Sequence, residues 1–350
     1  MRVLHVDSGR EYRGGQNQVR LLTRELARQA DVQQRVITRR GSELSRRVTA
    51  AGVLVRDVPW TLGLDPRACW RIVVEALAWR PDIIHAHNSH AVTLAVWARG
   101  FLRYTGSPPR LVATRRVVFP VRRASALRRV DIVVAISEAV RATLLAARFP
   151  AGEVKVVPSG VDPDEVRRAA AVPFDLRSRL GVADRTPVAV NVAALEPGKD
   201  QETLIRAAHA ARGTRPDLHW VIAGDGPSHS ALAAEVQRLD LANRVHLLGH
   251  VQQADALLRE SDVVVLSSRA EGLGTVLLHA LALGKPVVAT AGGGPVDIVP
   301  AEGLVPVGDA TALAEKVIDA LQHPTPFPLP PRFTAAAMAA GVLAAYRSLV

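Results

Sequence analysis

Residues 261–299 read SDVVVLSSRAEGLGTVLLHALALGKPVVATAGGGPVDIV, and their order is strand, loop, helix, strand, loop, helix. Val263 to Leu266 form an unbroken apolar run, which fits a parallel strand buried on both faces better than an alternating, half-exposed one. A loop of small residues follows, Glu271-Gly272-Leu273-Gly274-Thr275. The next segment puts Val276, Ala280 and Leu283 on one helical stripe, with Leu277 and Leu281 beside it, and stops at Gly284, a residue suited to the C′ position. Lys285-Pro286 then opens a second buried strand, Val287 to Thr290. Loops at the carboxyl ends of parallel strands open onto a ligand crevice, and the following helix directs unpaired N–H groups there. An anionic ligand is expected at that edge.

A Glu, a glycine-rich turn, a helix, GKPVVAT and a second glycine cluster, in this order, resemble the donor-sugar signature of the retaining family 4 glycosyltransferases, the group 1 type. The resemblance implies an α/β protein of the GT-B fold, two Rossmann-like domains facing each other across a cleft. It gives Glu271 the donor sugar and the backbone of Gly272, Leu273, Gly274 and Thr275 the diphosphate. The family pattern is E-x7-E, and the second Glu, which meets the ribose hydroxyls, falls here on His279. A neutral imidazole has one donor and one acceptor nitrogen, enough for a hydroxyl or two. By spacing alone His279 also reads as an ordinary surface histidine one turn after Thr275, so both readings stay open. If the ribose reading holds, a glutamate restored at 279 is expected to preserve donor binding.

A chain of 350 residues with 48% apolar residues has material for two cores. The single cysteine, Cys69, excludes an intrachain disulfide framework and a cysteine metal cluster, which makes a reducing, cytoplasmic setting the expectation. MRVLHVDSG lacks the pattern of a signal peptide, and no apolar run is long enough to span a bilayer. The net charge of +11 is uneven: residues 1–165 hold 27 Lys/Arg against 15 Asp/Glu, and the remainder 17 against 18, or +12 and −1. The basic half suits an anionic surface, lipid or nucleic acid.

Elsewhere the chain repeats the strand, loop, helix order. Val3 to Val6 lead through Asp7–Gly15 into a helix carrying Val19, Leu22 and Leu26; Gly14-Gly15 lack the spacing of a dinucleotide or Walker loop. In the resembling family a glycine pair here lets the backbone approach the donor diphosphate. Residues 81–87, PDIIHAH, end a strand in two histidines, which are expected on opposite faces and so not on one metal. The family often has HxH here, with the second histidine near the acceptor, so His87 is a candidate for the cleft.

Leu111 to Thr114 end in Arg115-Arg116; a guanidinium at 116 stays protonated and suits phosphate rather than general base chemistry. The tract Arg115 to Arg129 reads as an amphipathic surface segment for anionic lipid, with Phe119 its one aromatic residue, too few to stack bases.

In the second half, Val188 to Val192 lead to residues 193–200, AALEPGKD. The family pattern there is G-R-L-x-x-x-K, so Lys199 matches the diphosphate-gripping lysine, whereas Ala194 replaces the arginine and leaves Arg116 or another basic group to substitute. Asp225-Gly226-Pro227 resembles the family's GxGP turn, and Gly249-His250-Val251 its base-binding backbone, which singles out Val251. Val296 stands where an acid is common. The PTPFPLPP stretch at 324–331 cannot be helical and reads as a linker to a last helix near 334–349.

The expected domains are 1–165, on the acceptor side with 333–350 packed back on it, and 166–332, which binds the nucleotide sugar. Glu271 and His87 are the catalytic candidates; Gly14, Gly15, Arg116, Lys199, Val251, Gly272, Leu273, Gly274, Thr275 and His279 form the donor-binding set. The expected reaction is transfer of a sugar from a UDP- or GDP-sugar to a lipid-linked or saccharide acceptor hydroxyl with retention, in cell-envelope glycan synthesis. No metal or other cofactor is expected, and no nucleic acid partner. The setting would be the cytoplasm, with a peripheral place on the inner face of the membrane. A sugar-nucleotide epimerase or phosphorylase of the same fold, or a basic nucleic-acid-binding protein that has lost catalysis, is the alternative.

Overall fold

The computed structural model describes residues 1–105 and 108–350. The chain divides into two compact units, Met1–Gly160 with Arg332–Val350, and Val161–Pro331. The first is built on seven strands: β1 (Arg2–Val6), β2 (Gln33–Arg39), β3 (Leu54–Val58), β4 (Ile83–Ala86), β5 (Arg110–Arg115), β6 (Ile132–Ala135) and β7 (Val154–Val156). Their order is β3-β2-β1-β4-β5-β6-β7, every pair parallel. The order turns about β1, so the loops after β1 and β4 diverge to opposite faces of the sheet and leave room between them at its carboxyl edge.

The second unit repeats the plan with β8 (Val188–Val192), β9 (His219–Ala223), β10 (Val245–Gly249), β11 (Val263–Leu266), β12 (Val287–Thr290) and β13 (Leu304–Val305), in the order β10-β9-β8-β11-β12-β13, again all parallel. All four residues of β4, β6, β11 and β12 are buried; β6 and β11 therefore read as unbroken apolar runs, while β4 and β12 bury one polar residue each, His85 and Thr290. The helix after β11, Thr275–Ala282, buries Leu277, Leu278, Ala280, Leu281 and Ala282. It is therefore covered on more than the expected stripe, and Val276 and Leu283 lie at its margin. It ends before Gly284, whose φ of +67° places it in the left-handed region.

The boundary falls after Gly160, a few residues before the expected 165. Asp162 caps the Pro163–Ala170 helix, and that helix packs on the Ala254–Glu260 and Thr275–Ala282 helices, so it belongs with the second sheet. Beyond the proline stretch the helix Ala335–Arg347 packs on the Gly14–Leu26 helix and buries Tyr346 in the first core. Gly160 lets the returning chain come close: a Cβ there would stand 2.4 Å from the carbonyl oxygen of Thr334. These units sharpen the charge asymmetry, with 29 Lys/Arg against 12 Asp/Glu in the first and 15 against 21 in the second, +17 and −6.

The basic tract 115–129 is not one amphipathic segment. Arg115 closes β5, Arg116 is drawn inward, and only Ala126–Arg129 form a short 3₁₀ turn, with Leu127 buried.

Candidate active site

In the second unit the loops after β8 and β11 are tied together. Pro197–Lys199 form a 3₁₀ turn after β8, and the Ser267 hydroxyl after β11 donates to the Lys199 carbonyl at 3.0 Å. The Lys199 ammonium makes an ion pair with the Glu271 carboxylate, which also accepts from the Ser268 hydroxyl at 3.3 Å and the Gly272 N–H at 3.1 Å. Arg269, between them, is turned back on buried Asp200 at 3.0 Å.

The second glycine cluster is the backing of this loop. Glu271 N–H donates to the Gly292 carbonyl at 2.7 Å, and Gly294 N–H donates to that of Glu271 at 2.9 Å. A Cβ on Gly294 would stand 2.3 Å from the Gly272 oxygen and 2.4 Å from the Leu273 Cα. Gly274, with φ +85°, turns the chain into the Thr275–Ala282 helix, which starts with no side-chain cap. Its first-turn N–H groups are the kind that meet an anion.

His279, in the second turn of that helix, has its Nδ1 2.6 Å from a carboxylate oxygen of Asp255. Asp255 starts the Ala254–Glu260 helix, directly after Val251 to Gln253, which line a groove of about 350 Å³ with Phe174 and Arg179. The sequence pointed to His279 and Val251 but not to Asp255 or Ser268. A β-turn-helix pattern does not show which side chains its neighbouring loops bring together. At Ala194, where the family has arginine, the carbonyl accepts from the Gln201 side chain at 3.0 Å.

The first unit holds a separate cavity of about 780 Å³, lined by Gly15, His87, Ser89, Thr114, Arg116 and Phe119 among others. Gly14 and Gly15 open the Gly14–Leu26 helix; a Cβ at Gly15 would lie 3.8 Å from Arg116 Cδ, an ordinary contact. The Arg116 guanidinium donates to the His87 carbonyl at 2.7 Å, and burial lowers its pKa to about 10.

His85 and His87 do not point to opposite faces. Residues two apart share a face of a strand, and the two rings lie with centroids 4.1 Å apart. His5 on β1 completes a buried trio: its Nδ1 is 3.0 Å from His87 Nε2. Candidate ligand atoms of the three lie within 4.8 Å of one another. His85, however, uses Nδ1 on the Tyr346 hydroxyl at 2.5 Å and Nε2 on Thr114 at 2.7 Å. A metal bound by all three would cost His85 one of those bonds, whereas His5 and His87 each keep a second ring nitrogen without a hydrogen-bond partner among the described residues. Burial holds His85 and His87 well below the usual imidazole range and lowers His5 to about 4, so all three are neutral at pH 7.

Two family models match the chain: Glycosyltransferase Family 4 over residues 12–165 and Glycosyl transferases group 1 over 174–339. A GDP-mannose-dependent monoacylated alpha-(1-6)-phosphatidylinositol monomannoside mannosyltransferase of Corynebacterium glutamicum is 38% identical over 184 residues, 48% of this chain and 47% of that protein. A GDP-mannose-dependent alpha-(1-6)-phosphatidylinositol monomannoside mannosyltransferase of Mycolicibacterium smegmatis is 33% identical, over 59% of this chain and 58% of its own. The matched region thus spans about half the length of these relatives. Among solved structures, Anabaena HepE in complex with UDP and glucose superposes with a TM-score of 0.82 at 21% identity, over 99% of this chain and 100% of its own. Sucrose-phosphate synthase from Thermosynechococcus elongatus gives 0.76 at 21%, over 99% and 98%. Both show the GT-B fold.

Proposed function

Because the chain belongs to the group 1 glycosyltransferases of the GT-B fold, we propose that it moves a hexose from a UDP- or GDP-sugar to an acceptor hydroxyl with retention. The acceptor is lipid-linked or a saccharide, in cell-envelope glycan synthesis at the inner face of the membrane. The observation that carries this reading is the Lys199–Glu271 pair, held by Ser268 and Gly272 beside the uncapped start of the Thr275–Ala282 helix.

Such an edge suits a ligand with a diphosphate and a hydroxylated ring. The first-turn amides and the Lys199 ammonium face the charge that develops on the diphosphate as the anomeric C–O bond breaks. The acceptor oxygen bonds to the anomeric carbon on the face the diphosphate leaves, and its proton passes to a departing phosphate oxygen. No metal is required, because fixed cationic and N–H groups do that work. Glu271, released from Lys199 by the phosphate, accepts a hydrogen bond from a sugar hydroxyl. Asp255 holds the proton of His279 on Nδ1, so that Nε2 is an acceptor for the ribose diol.

In the first unit Gly15 is small although the fold leaves room for a side chain, as suits a backbone kept open to a ligand. The adjoining cavity, with Arg115, Arg116 and Arg122 beside Val117, Phe119 and Val121, suits an acceptor that is anionic in one part and apolar in another. His87, buried beside that cavity with its Nδ1 unpartnered among the described residues, is the residue we assign to the acceptor hydroxyl. The test is release of nucleoside diphosphate from UDP-glucose and GDP-mannose, with and without candidate acceptors. Release that depends on acceptor supports transfer; interconversion of the sugar nucleotide without acceptor would point to an epimerase.

A further inference from the structure

The Ser89–Leu102 helix of the first unit, continued by the 3₁₀ turn Arg103–Thr105, buries one face, with Ala91, Leu94 and Ala98 at 0% exposure. On the other face Trp97, Phe101 and Tyr104 follow at steps of four and three, one continuous stripe. They are exposed by 45%, 65% and 78%. Leaving three large aromatic side chains in water on one stripe is costly, and marks a surface for another body. They line, with Arg103 and Arg129, a shallow groove of about 480 Å³.

From 89 to 131 the sequence has nine arginines and a single acid, Asp131, which Arg99 engages at 2.6 Å. The surface is thus aromatic at its centre and cationic around it. Against a second copy of itself, an isologous pairing would set arginine against arginine. Against anionic lipid, the rings enter the interface and the guanidinium groups meet phosphate. Among the described residues no helix is long and apolar enough to cross a membrane.

We propose that the Trp97–Phe101–Tyr104 stripe is the face by which this protein docks on an anionic bilayer. Thr93, one turn before Trp97, lines the 780 Å³ cavity together with Ser89 and Val92, so the stripe runs from the bilayer contact to the cavity proposed for the acceptor. The docking role rests on the reading of that cavity only for its purpose, delivery of a lipid-borne hydroxyl, and is measured without donor or acceptor.

The experiment is co-sedimentation of the full chain with vesicles of phosphatidylcholine alone or with phosphatidylglycerol. A second measurement uses Phe101→Cys carrying an environment-sensitive dye; the native thiol, Cys69, is buried. Expected are binding to the anionic vesicles, its reduction by at least about tenfold in Phe101→Ser/Tyr104→Ser, and a blue-shifted dye quenched by lipids brominated in their acyl chains. The side chains are exposed, so thermal unfolding of the double variant should match wild type. Unshifted dye emission with bound vesicles, or equal binding by the double variant, would overturn the proposal. So would absence of vesicle binding together with self-association that the double variant loses, which would make the stripe an interface between copies. Persisting turnover on a soluble acceptor in any of these cases would leave the proposed transfer standing.

Discussion

Lys199 and Glu271, 72 residues apart, close an ion pair at the carboxyl ends of β8 and β11, with side chains only 26% and 14% exposed. Each group is therefore compensated by the other, and in the proposed reaction a diphosphate that takes Lys199 would free the carboxylate for the sugar. Glu271→Gln keeps the shape but weakens both roles. Turnover should fall at least about tenfold, since a hydrogen bond to a charged group is worth roughly 1.5–3 kcal/mol. Steady-state kinetics would show this, and unchanged turnover would remove Glu271 from the site.

Gly294→Ala tests the backing of the same loop. Its Cβ has no free space, with the Gly272 oxygen at 2.3 Å, and neither neighbour is a flexible side-chain end. Overpacking of this kind costs about 1–3 kcal/mol. A lowered denaturation midpoint together with weakened donor binding is expected. Gly213→Ala, where a Cβ meets nothing within 4 Å, serves as the control and should change neither.

The buried histidines make the first unit sensitive to acid. His5 titrates near 6.5 when unfolded and at about 4 in the fold, so between these values the unfolded state holds more protons and stability falls as pH falls. The slope in that window is roughly 1.4 kcal/mol per pH unit for one such group, and His85 and His87 act in the same direction. Below about 4 the His5 contribution levels off. Urea midpoints of wild type and His5→Gln at pH 7 and pH 5 should diverge, the variant losing less; parallel loss would show that His5 is not responsible.

Much of the fold was legible because parallel strands buried on both faces leave continuous apolar runs, as in 263–266 and 287–289. β13 was missed because two residues, Leu304 and Val305, carry no period. The histidine pair was assigned to opposite faces although residues two apart share one, and the correct rule would have placed the rings together. The Ser89–Leu102 helix is largely apolar from Ala91 to Leu102, and such a helix reads as core. Nothing in its sequence marks Trp97 and Phe101 as the exposed side. Asp255 could not be read from the E-x7-E spacing either, since it approaches His279 from another helix, 24 residues away.

That last contact changes what a restored glutamate should do. Taken alone, His279→Glu would return the usual ribose ligand and preserve donor binding. With Asp255 oxygen 2.6 Å from the imidazole, the substitution instead sets two partly buried carboxylates against each other. Like charges so placed disfavour joint ionisation and push the groups apart. The single variant should therefore bind UDP or GDP more weakly than wild type, by several-fold. Asp255→Asn alone also weakens binding, because the amide no longer fixes the imidazole tautomer. Combined with His279→Glu, the asparagine side chain can donate to the new carboxylate, and affinity should return to within about threefold of wild type, an interaction energy of the ~0.5–3 kcal/mol range seen for touching residues. Calorimetry on the four proteins with one nucleotide closes the cycle. Additive losses would separate His279 from Asp255, and four matched affinities would take both away from the ribose.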